Sequence, residues 1–287
     1  MPSLLPIKRR IASTKNTTQI TKAMKMVAAS KLRKAQERIL EARPYARGMM
    51  GVLSSLAKNL NKEYHPLLDR RGTGKIEVIV LTSDRGLCGG FNTTILKKAS
   101  EFIRQKKEQG GQVGMSVVGR KGREYFKRRG LDARMAWSGI SGKVQYGHAV
   151  EIGQDLEKLY LDEGIDEVYV VYNEFKSAIS QQVVVERLLP IEPEDDAGTI
   201  TGSYMFEPSP DEVLEELLPK HLQFQIFRML LESSASEEGA RMTAMDAANK
   251  NAKEVIRLLT LTYNRARQAN ITKEILEVVG GAEALKG

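Results

Sequence analysis

The chain has one cysteine, Cys88, and three histidines, His65, His148 and His221, far apart in sequence. A single thiol excludes an internal disulfide, and these residues have no metal-ligand spacing. Aromatic residues are sparse at 6%. No run approaches the roughly 18 consecutive apolar residues of a membrane span, and the opening MPSLLPIKRRIASTK lacks the apolar centre of a signal peptide. The chain is therefore expected to be made and kept in the cytosol, or on the cytosolic side of a membrane.

What is present is 41% hydrophobic residues in 287, enough for a real core in one large or two modest domains. The net charge of +8 is uneven. From Met1 to Asn61 thirteen Lys or Arg face only Glu37 and Glu41, whereas from Ser209 onward ten basic residues face twelve acidic ones. A basic first segment can serve nucleic acid, an anionic membrane surface or acidic protein loops, and charge alone does not choose.

The longest regular stretch is Glu238–Leu285. It has no Pro, and no Gly between Gly239 and Gly280. Met245, Ala248, Ala252, Val255, Leu259, Thr262, Ala266 and Ala269 recur in alternating steps of three and four, which predicts a coiled-coil seam of small residues. The amino-terminal segment shows the same rhythm through Ile7, Ile11, Thr14, Thr18, Thr21, Lys25, Ala28, Leu32, Ala35, Ile39, Ala42, Ala46, Met49, Leu53, Leu56 and Leu60. It crosses Pro44 in register, so a bend is expected there and not a boundary. Beside its polar middle, Ile20, Met24 and Val27 form a second apolar stripe that a single partner helix would leave uncovered.

Between the helices the style changes. IEVIVLT (76–82) reads as a buried strand, followed by a helix near 93–108, VGMSVV as strand, RKGREYFKRR as helix, a short DARMAW strand, a helix near 148–161, EVYVVY as strand, and SQQVVVERLLP as an antiparallel edge. Alternation of this kind predicts an α/β fold, a Rossmann-like domain inserted between two long helices. The expected division is residues 1–61, 75–200 and 209–287. Ser209, Pro210 and Glu212 spell a helix start, and Pro219 is expected to kink or restart that helix.

The loop SDRGLCGGFN sits where a phosphate loop would, between first strand and first helix. Its glycines, Gly86, Gly89 and Gly90, match neither a dinucleotide fingerprint nor a Walker loop. A tight turn packing under the helix is the reading these glycines favour, and Cys88 reads as a small buried side chain. No catalytic residue, cofactor site or metal site is expected.

The inserted domain forces the helices antiparallel. Residues 7–61 number 55 and residues 210–282 number 73, so the second helix is longer by about 27 Å. Beyond Ala269 its seam breaks, and Ile271, Ile275, Leu276, Val278 and Val279 spread around the cylinder. A solitary apolar tip needs a sheath, which points to a larger assembly. A nucleic-acid-binding coil and an α/β enzyme remain as alternatives, and neither accounts for the tip.

ITKAMKMVAASKLRKAQ (20–36), TSDRGLCGGFN, YMFEPSP, ESSASEEGARMTAMDAANKNA and LTYNRARQANITKEILEVVGGAEAL occur in that order, at both ends and in the middle. Together they resemble the γ subunits of F-type ATP synthases. The resemblance implies a non-catalytic rotor shaft whose coil stands inside a ring of α and β subunits and whose globular part rests on a ring of c subunits beside ε. Ion flow would turn it, changing which face each β meets. It implies β contacts at Met24, Arg267, Gln268 and Thr272, where the second stripe nears the late second helix, and a bearing tip at Ile275, Leu276, Val279 and Leu285. It also implies a c-ring and ε corner at Tyr204 and Glu207. The basic first helix would suit acidic loops of β. The implied location is peripheral, on the cytoplasmic face of a bacterial plasma membrane, with no role in nucleic-acid binding. Chloroplast-type relatives carry a cysteine-bearing insert that this sequence lacks.

Overall fold

The structure, a computed structural model, describes residues 4–59, 65–69, 71–72, 74–178, 180–192, 207 and 209–284. Ten segments follow in order: α1 (Leu4–Asn59), β1 (Lys75–Leu81), α2 (Phe91–Glu108), β2 (Gln112–Val118), α3 (Arg120–Lys127), β3 (Ala136–Trp137), α4 (Tyr146–Asp162), β4 (Glu167–Phe175), β5 (Gln181–Leu189) and α5 (Pro210–Ala284). The described chain divides into two compact units, one of residues up to Val27 with those from Met242, the other Ala28–Arg241.

In the larger unit five strands form one sheet in the order β3-β2-β1-β4-β5. β1 pairs in parallel with β2 and β4, β2 in parallel with β3, and β5 closes one edge antiparallel to β4. This is the doubly wound arrangement expected from the alternation of strand and helix. β1 lies centrally, so both faces are covered. Ile76, Val78 and Val80 pack under α2 and α3 with Phe91, Ile95, Ala99 and Phe126. Ile79 and Leu81 face the opposite side, against Ile152 and Leu156 of α4, Met49 and Leu53 of α1, and Leu214, Leu218 and Leu222 of α5. Full burial of such side chains stabilises by about 1.5–3 kcal/mol each.

α5 starts as its sequence signals: the Glu212 amide donates to Ser209 Oγ (3.3 Å), and the Val213 amide to the Ser209 carbonyl (3.1 Å). Pro219 does not restart it, because the helix runs unbroken from 210 to 284. Pro44 likewise lies inside α1.

The α1 seam follows the expected residues. Thr21, Ala28, Leu32, Ala35, Met49 and Leu53 are buried, and Ile7, Ile11, Thr14, Thr18, Lys25, Ile39 and Ala42 half-buried. The side chains of Ala46 and Leu56, and Leu60 entirely, lie outside the described residues. Thr14, Thr18 and Thr21 return their hydroxyls to carbonyls of their own helix, which lets polar residues sit in a seam. The α5 seam differs from the expected one. It runs Met245, Asn249, Ala252, Ile256, Leu259, Tyr263, Ala266 and Asn270, while Val255 is 44% exposed and Thr262 and Ala269 face solvent. Both frames share Met245, Ala252, Leu259 and Ala266, and the expected Ala248 is half-buried beside Asn249. The observed frame wins because Ile256 and Tyr263 bring more apolar surface inward, and Asn249 brings hydrogen bonds.

Candidate functional site

In the smaller unit, Asn249 Nδ2 donates to the Thr18 carbonyl (2.8 Å) and to Thr21 Oγ1 (3.2 Å), and Lys25 Nζ meets Asp246 Oδ1 at 2.5 Å. A buried Asn of this kind specifies register in a coil. Thr18 thus stands level with Asn249. Stepping back from Thr18 to Leu4 reaches the level of α5 about fourteen residues beyond Asn249, near residue 263. From there no described residue of α1 lies beside α5. Ile271, Ile275, Leu276, Val278 and Val279 are 46% to 72% exposed, and every residue from 271 to 282 is exposed. A run of apolar side chains on several sides of a lone helix is an unsatisfied docking surface.

Arg267, Gln268 and Thr272 are exposed on this segment, and Met24 is half-buried on α1. The structure does not bring Met24 to the other three. Its neighbour Lys25 pairs with Asp246, which places Met24 about 30 Å along the coil from Arg267. Of the second α1 stripe, Ile20 and Val27 are exposed and Met24 is half-buried, and the stripe lies beside Met245–Ala252 and not beside the late α5. Ile275, Leu276 and Val279 are exposed, while Leu285 and Tyr204 lie outside the described residues. Glu207 is exposed.

In the larger unit the loop after β1 is filled by its own side chains. Asp84, 9% exposed, accepts from the backbone amides of Arg120 (3.2 Å), Gly139 (3.0 Å) and Ser141 (3.2 Å). Asn92 bonds the Ser83 amide (3.0 Å) and hydroxyl (2.7 Å). The amides of Arg120, Lys121 and Gly122, the first three of α3, end on Asp84, the Ser83 carbonyl and Thr82 Oγ1. An anion at the start of α3 would find these donors already bonded. Cys88 is buried, and burial pushes its thiol pKa up, against a thiolate nucleophile. Among the described residues no group of three or more His, Cys, Asp or Glu could hold a metal ion.

A buried charge cluster joins α1, α5 and this loop layer. Arg241 Nη2 meets Glu237 Oε1 at 2.5 Å and its Nη1 meets Glu238 Oε1 at 2.9 Å, with side chains 10%, 5% and 4% exposed. Ser141 Oγ donates to Glu237 Oε2, and Lys31 Nζ lies 3.6 Å from Glu238 Oε1. Burial raises the Glu237 carboxyl while Arg241 and Ser141 lower it. A Cβ on Gly239 would stand 3.2 Å from the Ala178 carbonyl, so glycine permits the close approach of α5 to the β4–β5 turn. Sequence reasoning missed this cluster. The signal was available: two acids three and four residues before an Arg on one helix are paired by helical geometry.

The family model described as ATP synthase matches residues 3–285. The chain is 50% identical over 288 residues to the ATP synthase gamma chain of Geobacter metallireducens, covering all of both chains. Among solved structures it resembles a chain from the central stalk and c-ring of Tetrahymena thermophila mitochondrial ATP synthase, with 29% identity, a TM-score of 0.61, and coverage of 80% of this chain and 99% of that one. A chain from the Euglena gracilis mitochondrial ATP synthase shares the fold, with a TM-score of 0.69 at 18% identity over 98% of this chain and 94% of that one. A paired coil in which the described part of α1 stops short of the end of α5, a doubly wound domain, and a family match along nearly the whole length agree: the chain belongs to the ATP synthase family, among its gamma chains.

Proposed function

We propose that the chain is the central rotor shaft of an ATP synthase, coupling ion flow through a membrane sector to ATP synthesis or hydrolysis on β subunits. The observation that carries this reading is the uncovered apolar segment of α5, 46% to 72% exposed at Ile271, Ile275, Leu276, Val278 and Val279. An α and β ring would sheath it, and an apolar surface turns in such a sleeve without fixing one angle. Coupling then resides in differential binding: each β conformation prefers a different face of the shaft, so turning the shaft biases the sites in sequence. The chain itself contributes no catalytic group.

In this reading Met24, Arg267, Gln268 and Thr272 meet β at two levels about 30 Å apart, a separation supported by the Lys25–Asp246 pairing. Ile275, Leu276, Val279 and Leu285 form the bearing tip, and Tyr204 and Glu207 meet the c-ring and ε. Residues 1–61 and 209–287 act as the shaft helices and 75–200 as the inserted domain, at the cytoplasmic face of a bacterial plasma membrane. Among the described residues no helix is long and apolar enough to cross that membrane.

Reconstitution tests the reading. The purified chain is mixed with purified α and β subunits, and complex size and ATP hydrolysis are recorded beside a version ending at Ala269. Turnover that depends on the chain and weakens with the shortened one is expected. No association, or ATP hydrolysis that copurifies with the chain alone, would overturn it.

A further inference from the structure

The positive charge is not confined to α1. Between Lys97 and Arg134 twelve Lys or Arg face four Asp or Glu, an excess of eight, equal to the net charge of the whole chain. Most of this second concentration belongs to α2 and α3, which cover the sheet face opposite α4, while Arg134 pairs with Asp155 of α4. In a parallel βαβ unit the crossover helix runs back to the strand starts. The carboxyl ends of α2 and α3 therefore lie toward one edge of the sheet. The Gln112 amide donates to the Gly74 carbonyl (2.7 Å) and the Gly111 amide to the Lys106 carbonyl (3.1 Å), fixing the end of α2 beside the starts of β1 and β2. The Ile191 amide donates to the Leu67 carbonyl (2.9 Å), and Arg71 Nη1 to the Tyr160 carbonyl (2.8 Å). The segment that follows α1 and the one that leads from β5 toward α5 thus meet near that edge.

At this edge an open groove of 390 Å³ is walled by Ile103, Phe126 and Leu131, with Ser100, Arg104, Lys107 and Glu108 on its rim. The Leu131 amide folds back onto the Phe126 carbonyl (3.1 Å), and its side chain remains 39% exposed. Arg104 is paired with Glu108 at 3.7 Å, and Arg129 lies over the Tyr125 ring at 3.6 Å. Lys107, Lys127 and Arg128 are exposed. Among the described residues Lys107 and Lys127 form no ion pair, and Arg128 acts electrostatically on Glu124, which Lys121 already pairs.

We propose that this edge is a docking surface for an anionic phospholipid leaflet: the cations hold headgroup phosphates and the groove takes the apolar part of a lipid at the interface. The proposal rests on the shaft reading above, in which the end of the larger unit that follows α1 and precedes α5 faces the membrane sector. Charge complementarity selects an acidic partner, and the apolar groove among the cations suits an amphiphile. Rotation selects a lipid over an acidic loop of any stationary subunit. An attraction that survives a full turn needs a partner that turns with the shaft or looks the same at every angle, and a fluid leaflet does the latter.

The test is partition of the full chain onto phosphatidylglycerol-containing vesicles against phosphatidylcholine vesicles. Each cation near an anionic leaflet changes partition by about fivefold, so Lys107→Glu, Lys127→Glu and Arg128→Glu together should cost at least about a hundredfold. Neutral Gln versions should lose about as much as three such factors, which guards against misfolding of the charge-reversed chain. Leu131→Gln should weaken binding while leaving its salt dependence unchanged. The α1 variant Lys8→Glu, Arg9→Glu, Arg10→Glu should bind nearly as the unaltered chain. Unchanged partition of the Lys107, Lys127 and Arg128 variants, equal binding to both vesicle types, or loss confined to the α1 variant would overturn the proposal. So would loss of duplex-DNA retention in those three-site variants with no vesicle binding by the unaltered chain. The same variants are assembled with α and β: normal ATP turnover without vesicle binding by any form defeats the lipid proposal alone, whereas vesicle binding without assembly defeats the shaft reading.

Discussion

Replacing Arg241 by Ala should destabilise the larger unit by about 3 kcal/mol. The guanidinium bridges Glu237 and Glu238, whose side chains are 5% and 4% exposed. Truncation leaves Glu237 with the Ser141 hydroxyl and Glu238 with Lys31 at 3.6 Å. Removing one partner of a buried pair costs roughly 3–5 kcal/mol, because the remaining charge stays desolvated. Lys31, 44% exposed, compensates Glu238 in part, which places the value at the lower end. Adding Glu237→Gln to Arg241→Ala should recover part of the loss, since an amide needs no counter-charge.

The pH dependence has a definite sign. Burial already raises the Glu237 carboxyl above its ordinary value, and losing Arg241 raises it further. Between its unfolded and folded pKa values the folded state then holds a proton that the unfolded state lacks, so stability falls as pH rises. The deficit of Arg241→Ala should accordingly shrink on acidification from about pH 8 toward the ordinary carboxylate range. Urea unfolding followed by the fluorescence of the single tryptophan, Trp137, buried in the same core, reads both quantities. A loss under about 1 kcal/mol, or one that is constant with pH, would refute the account of the cluster.

Other outcomes follow from single sites. Burial, with Arg228 nearby, pulls the His221 imidazole down to about 4, so its contribution is present above the unfolded value of 6.5 and lost as pH falls toward 4. That contribution is at most about 3 kcal/mol, and His221→Gln should flatten the stability profile across this window. An NMR titration of His221 near 6.5 in the folded chain would contradict it. Gly119 has φ 95°, and an added Cβ would overlap the Thr82 carbonyl oxygen, so Gly119→Ala should cost at least about 3 kcal/mol by chemical denaturation. Ile275→Asp with Leu276→Asp should leave the isolated chain's stability within about 0.5 kcal/mol, because both are exposed, while lowering turnover in the reconstituted complex. Equal turnover would remove the bearing role from these residues.

Periodicity along the chain determined a great deal. The α/β alternation, the antiparallel edge strand, the length of both terminal helices, the Ser209 cap and the α1 seam are consequences of local pattern, and short-range chemistry dictates them. The apolar tip was also legible, since its side chains spread around a helix too long for its partner. Three features depended on tertiary contact. The α5 frame turned on one-residue competition between Val255 and Ile256, and between Thr262 and Tyr263, which only the facing α1 resolves. The distance between Met24 and Arg267 depended on how the two helices align, and that alignment rests on Asn249 against Thr18 and Thr21, residues more than two hundred positions apart. The anchoring of Asp84 in the SDRGLCGGFN loop likewise required Gly139 and Ser141 to arrive from beyond β3 and donate to it. Local sequence specifies which elements form, because helix and strand periods act within a few residues. Which polar groups meet across them is decided by the packed fold, where desolvation makes each unpaired donor or charge expensive.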